Sequence, residues 1–564
     1  MDDNQNNKEF GGFRNEFAHT IFQQKYSHDG KFTWPTLCKT LATEITGKSP
    51  SHEQAFHRQL LSNGDIQYLT KIMQEFKFIP GGRYLYYVDR PIKYYNNCYL
   101  LRVEKDTREE WSAYTWRAMS CLMTGGGIGG DYSFVRPSGR MLNRTGGIAS
   151  GPIPLMESIN AIGQNVIQGG SRRSAIYASL NHKHEDIYEF LKAKNWYDKP
   201  VGNTNLGLLK EQDFNFKAPL DMTNISINYD DAWLNKENRH LDEVFISNVR
   251  QALSTGEPGF SFNFGDKQNE TLRNACTEVT SEDDSDVCNL GSINIGNIET
   301  LEEFKDIVRI ATKFLVCGTL RANLPYEKVH RVRQKNRRLG LGLMGIHEWL
   351  LKRGYGYEIN DELKQWLQVY KDESDQTAKQ FCNYMSISTP VACRAIAPTG
   401  SIGILAGTTT GIEPLFDIAY KRRYLKKNIW KYQYVVDGVA EILINKYDLD
   451  PNKIETSKDL VLNPEKRIKF QADIQDYVDM SISSTINLPG WNSENNNEEH
   501  VKPFAEILAR YAPRLRGFTC YPDGARGGQP LTSVSYKEAT KHKGVVFEEV
   551  DVCEITGKGG TCGG

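Results

Sequence analysis

The chain has 564 residues, with 69 Lys and Arg against 70 Asp and Glu. This near balance of charge predicts no nucleic acid partner, and the absence of a long uncharged apolar run predicts no membrane span. Residues 1–7 have neither a basic start nor an apolar stretch, so no signal peptide is expected. We therefore expect a cytoplasmic protein, in which thiols stay reduced and a cysteine pair is more often catalytic than structural.

The first predicted unit is a small helical region over residues 1–85. Apolar residues recur there at a helical spacing, namely Phe17, Ile21 and Phe22, then Leu69, Ile72, Met73 and Phe76. Pro80, Gly81 and Gly82 mark the end of this region.

A large α/β unit is predicted from residue 86 to 530. Short apolar runs at residues 175–180, 224–227 and 292–295 alternate there with amphipathic helices and glycine turns. This alternation indicates βα units around a mostly parallel sheet or barrel. The last unit, residues 531–564, ends in a glycine-rich stretch and is expected to be a flexible tail.

Three residues spaced two apart suggest a reactive site. On an extended segment, the side chains of Asn274, Cys276 and Glu278 would face one pocket together. An amide, a sulfur and a carboxylate would offer a hydrogen-bond donor, a one-electron or nucleophilic centre, and a proton acceptor. A buried cysteine in an ordinary strand explains the same triplet, so the pattern alone is weak.

Two further pairs of cysteines are candidates for redox work. Cys98 and Cys288 lie far apart in the chain, so only a fold that sets two strands side by side would pair them, and two unrelated core cysteines are the alternative. Cys553 and Cys562 lie on the glycine-rich tail. A zinc site would need two more ligands nearby, and the tail has none, so we predict no metal site and favour thiol–disulfide exchange.

A turn that enters a predicted helix is a candidate phosphate site. Pro398, Thr399, Gly400 and Ser401 would present free N–H groups and hydroxyls. A capped helix start that binds no ligand is the alternative.

A second glycine motif resembles a dinucleotide-binding fingerprint. Gly340, Gly342 and Gly345 have the required spacing, and Asp361 follows at about the right distance. The basic residues 331–338 do not read as the buried parallel strand that this fingerprint needs. We therefore expect the glycines to serve close helix packing instead.

Taken in chain order, these motifs resemble the catalytic subunit of ribonucleotide reductase, and its class II, adenosylcobalamin-dependent form most closely. The resemblance also covers longer runs at residues 125–139, 145–152, 168–173, 288–294 and 515–524. It implies a ten-stranded α/β barrel with a central catalytic finger loop that carries Cys276.

The resemblance also implies a role for each cysteine. A thiyl radical on Cys276 would take the 3′-hydrogen of a ribonucleotide, Glu278 would accept the 3′-hydroxyl proton, and Asn274 would hold the ribose. Cys98 would protonate the departing 2′-hydroxyl, and Cys98 with Cys288 would then supply two electrons and close a disulfide.

Further sites and partners follow from the same resemblance. Cys553 and Cys562 would reopen that disulfide and be recharged by thioredoxin or glutaredoxin, while residues 398–401 would bind the substrate phosphates. Asp106 and Arg144 would bind a dNTP or ATP effector, next to specificity loops at 142–150 and 192–205.

The helix between the two specificity loops bears on the oligomeric state. Its apolar stripe, Leu155, Ile159, Ile162 and Val166, would face either the protein's own core or a partner subunit. We favour a homodimer.

The radical source, adenosylcobalamin, is implied by the resemblance alone, and the sequence departs from the patterns of the other two classes. Class I enzymes use two adjacent tyrosines near the C-terminal part, whereas the adjacent pairs here, Tyr86-Tyr87 and Tyr94-Tyr95, are early. The tail has too few cysteines for class III. We therefore expect reduction of ribonucleoside di- or triphosphates with adenosylcobalamin. The alternative is a class I-type subunit that receives its radical from a separate metal-containing subunit.

The N-terminal region is too short for an ATP cone, so no dATP switch is expected.

Overall fold

A computed structural model describes residues 10–50, 54–142, 146–166, 174–213, 216–426, 429–525, 531–543 and 546–548. Its helices are Glu16–Lys25, Trp34–Thr46, Asn63–Gln74, Gly82–Tyr87, Arg108–Met123, Ile153–Asn165, Ile187–Leu191, Leu206–Gln212, Asp231–Leu234, Glu243–Thr255, Leu301–Arg321, Glu327–Asn336, Ile346–Lys352, Asp361–Met385, Gly400–Ala406, Gly438–Tyr447, Ser457–Leu460, Pro464–Gln475, Val501–Tyr511 and Tyr536–Lys541.

The strands are β1 (Phe78–Pro80), β2 (Cys98–Arg102), β3 (Gly127–Asp131), β4 (Ile176–Asn181), β5 (Pro200–Val201), β6 (Thr204–Asn205), β7 (Thr223–Tyr229), β8 (Gly259–Phe262), β9 (Leu272–Arg273), β10 (Thr280–Ser281), β11 (Asp286–Asn294), β12 (Leu339–Met344), β13 (Ala419–Lys426), β14 (Ile429–Val436), β15 (Thr485–Leu488), β16 (Gly517–Pro522), β17 (Leu531–Ser533) and β18 (Val546–Glu548).

Ten of these strands form one sheet, in the order β1-β11-β2-β3-β4-β7-β8-β16-β15, with β12 also paired to β11. Neighbours from β2 to β8 are parallel, as are β15 with β16 and β11 with β12. The two parallel groups meet antiparallel where β8 contacts β16 and where β2 contacts β11.

Two parallel bridges close the sheet into a barrel. Leu341 of β12 pairs with Arg394, and Ile396 pairs with Ile482, three residues before β15 begins. The predicted ten-stranded α/β barrel is therefore confirmed.

The predicted apolar runs form barrel strands. They are apolar because both faces of each strand are covered by other parts of the protein. β4 and β7 are buried over nearly their whole length, as expected for parallel strands with helices outside and packed side chains inside. The inner layer is an apolar cluster that includes Cys98, Leu272 and Cys288.

Both ends of the chain differ from the prediction. The predicted N-terminal helices are present, but β1 pairs with β11, so the region expected to be helical also contributes a strand to the barrel sheet. At the other end, β17 and β18 flank the β13–β14 hairpin in a separate four-stranded sheet. The start of the expected flexible tail is thus folded, because its backbone N–H and C=O groups form hydrogen bonds with that hairpin. Cys553 and Cys562 lie outside the described residues.

No helix within the described ranges is both long enough and apolar enough to cross a lipid bilayer.

Candidate active site

A short hairpin inside the barrel carries the predicted reactive residues. β9 and β10 pair antiparallel, and residues 274–279 form the tip between them; we call this unit the finger. Its backbone passes directly against β3. A Cβ atom added to Gly129 would lie 1.7 Å from the carbonyl oxygen of Arg273, so only glycine leaves room for the finger there.

The tip is a tight turn, not the extended segment that the spacing suggested. Thr277 has a φ of 70°, and its N–H donates to the carbonyl oxygen of Asn274 at 3.0 Å. The Asn274 side chain accepts from the Val279 N–H at 2.9 Å. Because the chain turns, Asn274 and Glu278 are buried while Cys276 between them is exposed. The expected extended segment, with alternate side chains on one face, is therefore not formed, and a turn brings these residues together instead.

Two outer contacts fix the tip in the barrel. The Asn224 side chain donates to the carbonyl oxygen of Ala275 at 3.0 Å, and the Ser481 N–H donates to the carbonyl oxygen of Glu278 at 2.9 Å. Neither residue was predicted to contact the site, because neither Asn224 nor Ser481 stands in a motif that signals this contact.

Cys276 differs from every other cysteine in the described residues. Of the nine there, it alone is exposed, and all nine have free thiols. Although its surface is open, protein surrounds it closely enough to raise the pKa of its thiol, and the nearby Glu278 carboxylate raises that pKa further. The thiol therefore keeps its hydrogen at neutral pH.

Glu278 has the properties of a proton acceptor. Burial raises the pKa of its carboxyl from 4.5 to about 7, while hydrogen bonding from Asn274 acts in the opposite direction. Its Oε2 atom is buried without a hydrogen-bond partner among the described residues. A carboxyl with such a pKa exchanges protons readily near neutral pH.

Cys98 and Cys288 stand directly opposite each other on the antiparallel strands β2 and β11. Such partners have Cα atoms about 4.5–5.5 Å apart, within the range of about 4.4–6.8 Å that a disulfide needs. Asn274 Nδ2 lies 2.9 Å from Cys98 Sγ. The finger tip and the cysteine pair are therefore parts of one site.

The predicted phosphate turn opens a short helix near the finger. Gly400–Ala406 is helical, and no side chain caps its N-terminus. Thr399 has a φ of 51°, and its hydroxyl accepts from the Gly411 N–H at 2.8 Å. Pro398 and Gly400 are exposed. The turn is connected to Glu278 through Ser481, because the adjacent Ile482 pairs with Ile396, two residues before Pro398.

The family of the protein follows from its similarity to known proteins. Residues 96–368 and 391–512, more than half of the chain, match the model of the ribonucleotide reductase barrel domain. The chain belongs to the ribonucleotide reductase family.

Several curated ribonucleotide reductases are similar along most of the chain. The vitamin B12-dependent ribonucleoside-diphosphate reductase of Mycobacterium tuberculosis (strain CDC 1551 / Oshkosh) is 24% identical over 533 residues, which cover 83% of this chain and 73% of that protein. A putative adenosylcobalamin-dependent ribonucleoside-triphosphate reductase of Mycobacterium phage D29 is 28% identical, over 73% of this chain and 67% of that protein.

A solved structure shares the fold. The class Id ribonucleotide reductase alpha subunit of Actinobacillus ureae superposes with a TM-score of 0.66 at 17% identity, covering 90% of this chain and 97% of that one.

One of the two residues that we predicted for the effector site of this ribonucleotide reductase is described. Asp106 lies between helix Arg108–Met123 and β2, where its side chain accepts from Trp111 Nε1 at 3.1 Å and from the Arg136 side chain. Arg144 lies outside the described residues.

The stripe predicted as a possible subunit interface mostly faces the protein's own core. Leu155 and Ile159 are buried, and Ile162 packs against the same cluster. On the adjacent helix Arg108–Met123, by contrast, the side chains of Trp116, Met119 and Met123 are exposed.

The second glycine motif of this ribonucleotide reductase lies in a strand and does not serve helix packing. β12 contains Gly340 and Gly342 and pairs in parallel with β11. A Cβ on Gly340 would lie 2.2 Å from the Leu290 side chain and 3.1 Å from Cys288 Sγ. The prediction of helix packing was therefore wrong: these glycines let two barrel strands and their inward side chains lie close together.

Proposed function

We propose that this protein reduces ribonucleoside di- or triphosphates to 2′-deoxyribonucleotides through a thiyl radical on Cys276, with adenosylcobalamin as the radical source. The observation that carries the proposal is the arrangement at the finger: one exposed, protonated thiol beside a carboxyl with a pKa of about 7, and a facing pair of cysteines.

Each proposed step has a matching group in the barrel. The thiyl radical on Cys276 takes the 3′-hydrogen of the ribose, and Glu278 accepts the 3′-hydroxyl proton. Cys98, held by Asn274 at 2.9 Å, protonates the 2′-hydroxyl, which leaves as water. Cys98 and Cys288 supply two electrons and become a disulfide, and their second thiol hydrogen passes to C2′. Glu278 then returns the proton to the 3′-oxygen, and Cys276 returns a hydrogen to C3′.

Substrate phosphates are proposed to bind at residues 398–401. The N–H groups at the start of helix Gly400–Ala406 have no side-chain cap, and uncapped N–H groups attract anions. Nothing lies within 4 Å of a Cβ added to Gly400, so a phosphate oxygen has space to approach the backbone.

The cofactor proposal rests on the printed names of the relatives and on Cys276. When bound, adenosylcobalamin supplies an unpaired electron by homolysis of its cobalt–carbon bond. Cys276 fits this chemistry because its thiol is exposed and its raised pKa keeps the S–H hydrogen available for abstraction.

The test of the function is a defined assay. Purified protein is incubated with ribonucleotide, adenosylcobalamin and dithiothreitol in the presence of each nucleotide effector, and deoxynucleotide is the expected product. No product under any effector refutes the proposal. Activity only with a ferritin-like metal subunit, and none with cobalamin, establishes the class I-type alternative instead.

The proposed role of Glu278 predicts a pH dependence. Its carboxylate is the active form, so we expect the rate of the chemical step to rise with pH up to about 7 and then level off. Glu278→Gln should lose about 10²–10⁴ in kcat and should show no such rise, as measured by single-turnover kinetics between pH 5.5 and 8.5. Glu278→Asp keeps a titratable group and is the matched control; a rise retained in Glu278→Gln contradicts the role.

The tail cysteines are proposed to pass electrons from a thioredoxin or glutaredoxin to the Cys98–Cys288 disulfide. We therefore expect Cys553→Ser to stop turnover supported by thioredoxin but to retain part of the turnover supported by dithiothreitol, which reaches the disulfide directly. Comparison of the two reductants in one steady-state assay tests this. Equal losses with both reductants would contradict a shuttle role.

We also propose a dNTP or ATP effector site at Asp106 and Arg144, and a homodimer. The exposed apolar face of helix Arg108–Met123 supports the dimer, since a face with Trp116, Met119 and Met123 is typical of a protein interface.

A further inference from the structure

A buried ion pair lies beside Cys288. Asp286 precedes Cys288 by two residues on β11, so both side chains lie on the same face of the strand. Arg338 Nε donates to Asp286 Oδ2 at 2.7 Å, and both side chains are almost completely buried. The same carboxylate oxygen accepts from Ser281 Oγ at 2.7 Å and from Asn336 Nδ2 at 2.9 Å.

The strand register brings Arg338 level with Cys288. Asn289 pairs with Leu339 on the parallel strands β11 and β12, so the residues just before them, Cys288 and Arg338, are also neighbours. Gly340 leaves the space beside Cys288 Sγ open, since a Cβ there would lie 3.1 Å from the sulfur. Arg338 therefore reaches the inner face of the barrel next to the thiol.

The charged and titratable groups around Cys288 come from four elements. They are Asp286 on its own strand, Cys98 on β2, Arg338 immediately before β12 and Glu278 on the finger. Burial and Asp286 raise the pKa of the Cys288 thiol, whereas Arg338 lowers it. Arg338 is thus the one cation among these groups that favours a thiolate at Cys288.

Cys98 has a different environment. It faces Asn274 and Glu278 on the finger, and 5% of its surface is accessible, compared with 0% for Cys288. An incoming thiolate therefore has more access to Cys98, while Cys288 lies against the cation. The two sulfurs of a disulfide between them would not be equivalent.

We propose that Arg338, held by Asp286, is a positioning residue that gives the Cys98–Cys288 disulfide a direction of opening. The thiolate of a reducing dithiol bonds to Cys98 Sγ, the S–S bond breaks, and its electron pair stays on Cys288 Sγ beside Arg338. The second thiol of the dithiol then displaces Cys98, so the dithiol becomes a disulfide. Its two thiol protons pass to Cys98 and Cys288.

The charges of the pair act in opposite directions on this step. A leaving sulfur departs faster when its thiolate is stabilised, so the Arg338 charge accelerates opening and the Asp286 charge slows it. A pair that served only the fold would behave differently, because breaking it from either side would disturb the site in the same way.

The test follows disulfide opening without turnover, so it does not depend on the radical cofactor. Protein is oxidised with diamide, the Cys98–Cys288 bond is confirmed by mass spectrometry, and opening by dithiothreitol is timed by alkylation of the released thiols. We expect opening to be about tenfold slower in Arg338→Gln and severalfold faster in Asp286→Asn. The variant that carries both substitutions should return close to the unmodified rate.

A matched control and a second readout sharpen the result. Arg394→Gln breaks the ion pair between another buried arginine and the partly exposed Asp479, at 2.5 Å, and should leave the opening rate unchanged. A monothiol such as glutathione should be trapped on Cys98 and not on Cys288. Trapping on Cys288 overturns the proposal, as do single variants whose rates shift in the same direction or not at all.

The inference rests on the proposed pairing of Cys98 with Cys288, and the two can fail separately. No diamide-induced bond refutes the pairing itself, and with it this role of Arg338. A bond that forms but opens at one rate in all variants refutes only the role of Arg338. If Arg338→Gln does not fold, Asp286→Asn decides alone: faster opening supports the proposal, and equal or slower opening overturns it.

Discussion

Cys276→Ser is expected to abolish nucleotide reduction and to leave the barrel intact. An O–H bond is too strong for the radical source to break, so serine in place of Cys276 provides no radical for the substrate. We expect the turnover rate to fall by at least about 10³-fold, which corresponds to roughly 4 kcal/mol of activation free energy. The measurement is deoxynucleotide formation with adenosylcobalamin and dithiothreitol.

The free energy of unfolding of Cys276→Ser shows whether a loss of activity comes from the missing thiol or from a damaged fold. Cys276 is exposed at the finger tip, so the free energy of unfolding should change by no more than about 0.5 kcal/mol. Cys38→Ser in helix Trp34–Thr46 is the matched control: it places a hydroxyl in the core and should lose stability but keep turnover. Substantial activity in Cys276→Ser would disprove the radical assignment.

Gly129→Ala should disable the site without changing any catalytic group. The added Cβ would lie 1.7 Å from the Arg273 carbonyl oxygen. Because the atoms it meets are backbone atoms, rotation of a side chain cannot relieve the clash. The finger must move away from β3, and a shift of about 1 Å at a reactive centre costs about 10²-fold in rate. We also expect a loss of about 1–3 kcal/mol in the free energy of unfolding, which is typical of overpacking.

The control for this variant is another glycine-to-alanine change in open space. Gly64 lies in helix Asn63–Gln74, and the nearest atom to an added Cβ is the Ser62 hydroxyl at 3.9 Å. Gly64→Ala should be neutral or slightly stabilising, since alanine favours helix. Chemical denaturation and turnover measured on both variants separate the two effects. Full turnover in Gly129→Ala would show that the finger does not depend on β3.

Three of the barrel strands could be predicted from the sequence because their signal is local. β4, β7 and β11 are short apolar runs bounded by polar turns, and burial of both faces leaves this pattern visible in the chain. β12 was missed for a physical reason: its glycines have low strand propensity, but the side chains of Leu290 and Cys288 occupy the space where Cβ atoms would lie. That crowding depends on a strand about 50 residues away in the chain.

The residues of the candidate site also fall into two groups, those that could be predicted from the sequence and those that could not. The identities of Cys98, Cys276 and Cys288 were visible in the sequence, and their roles came from the family resemblance. The turn at Thr277, the anchors Asn224 and Ser481, and the ion pair of Asp286 with Arg338 were not predicted. Each depends on a contact between elements that are distant in the chain, and no local pattern of residue types encodes such a contact.

The buried carboxyl of Glu278 couples folding of the barrel to proton uptake. The folded protein holds this proton up to a pH of about 7, whereas an unfolded glutamate releases it near 4.5. Between these values, folding takes up a proton. The associated stability is fully present below pH 4.5 and is lost as the pH rises through 7, and it amounts to at most about 3 kcal/mol. The contribution of Glu278 to the stability of the barrel is therefore smaller at the pH where this proposed base is ready to act than under mildly acidic conditions.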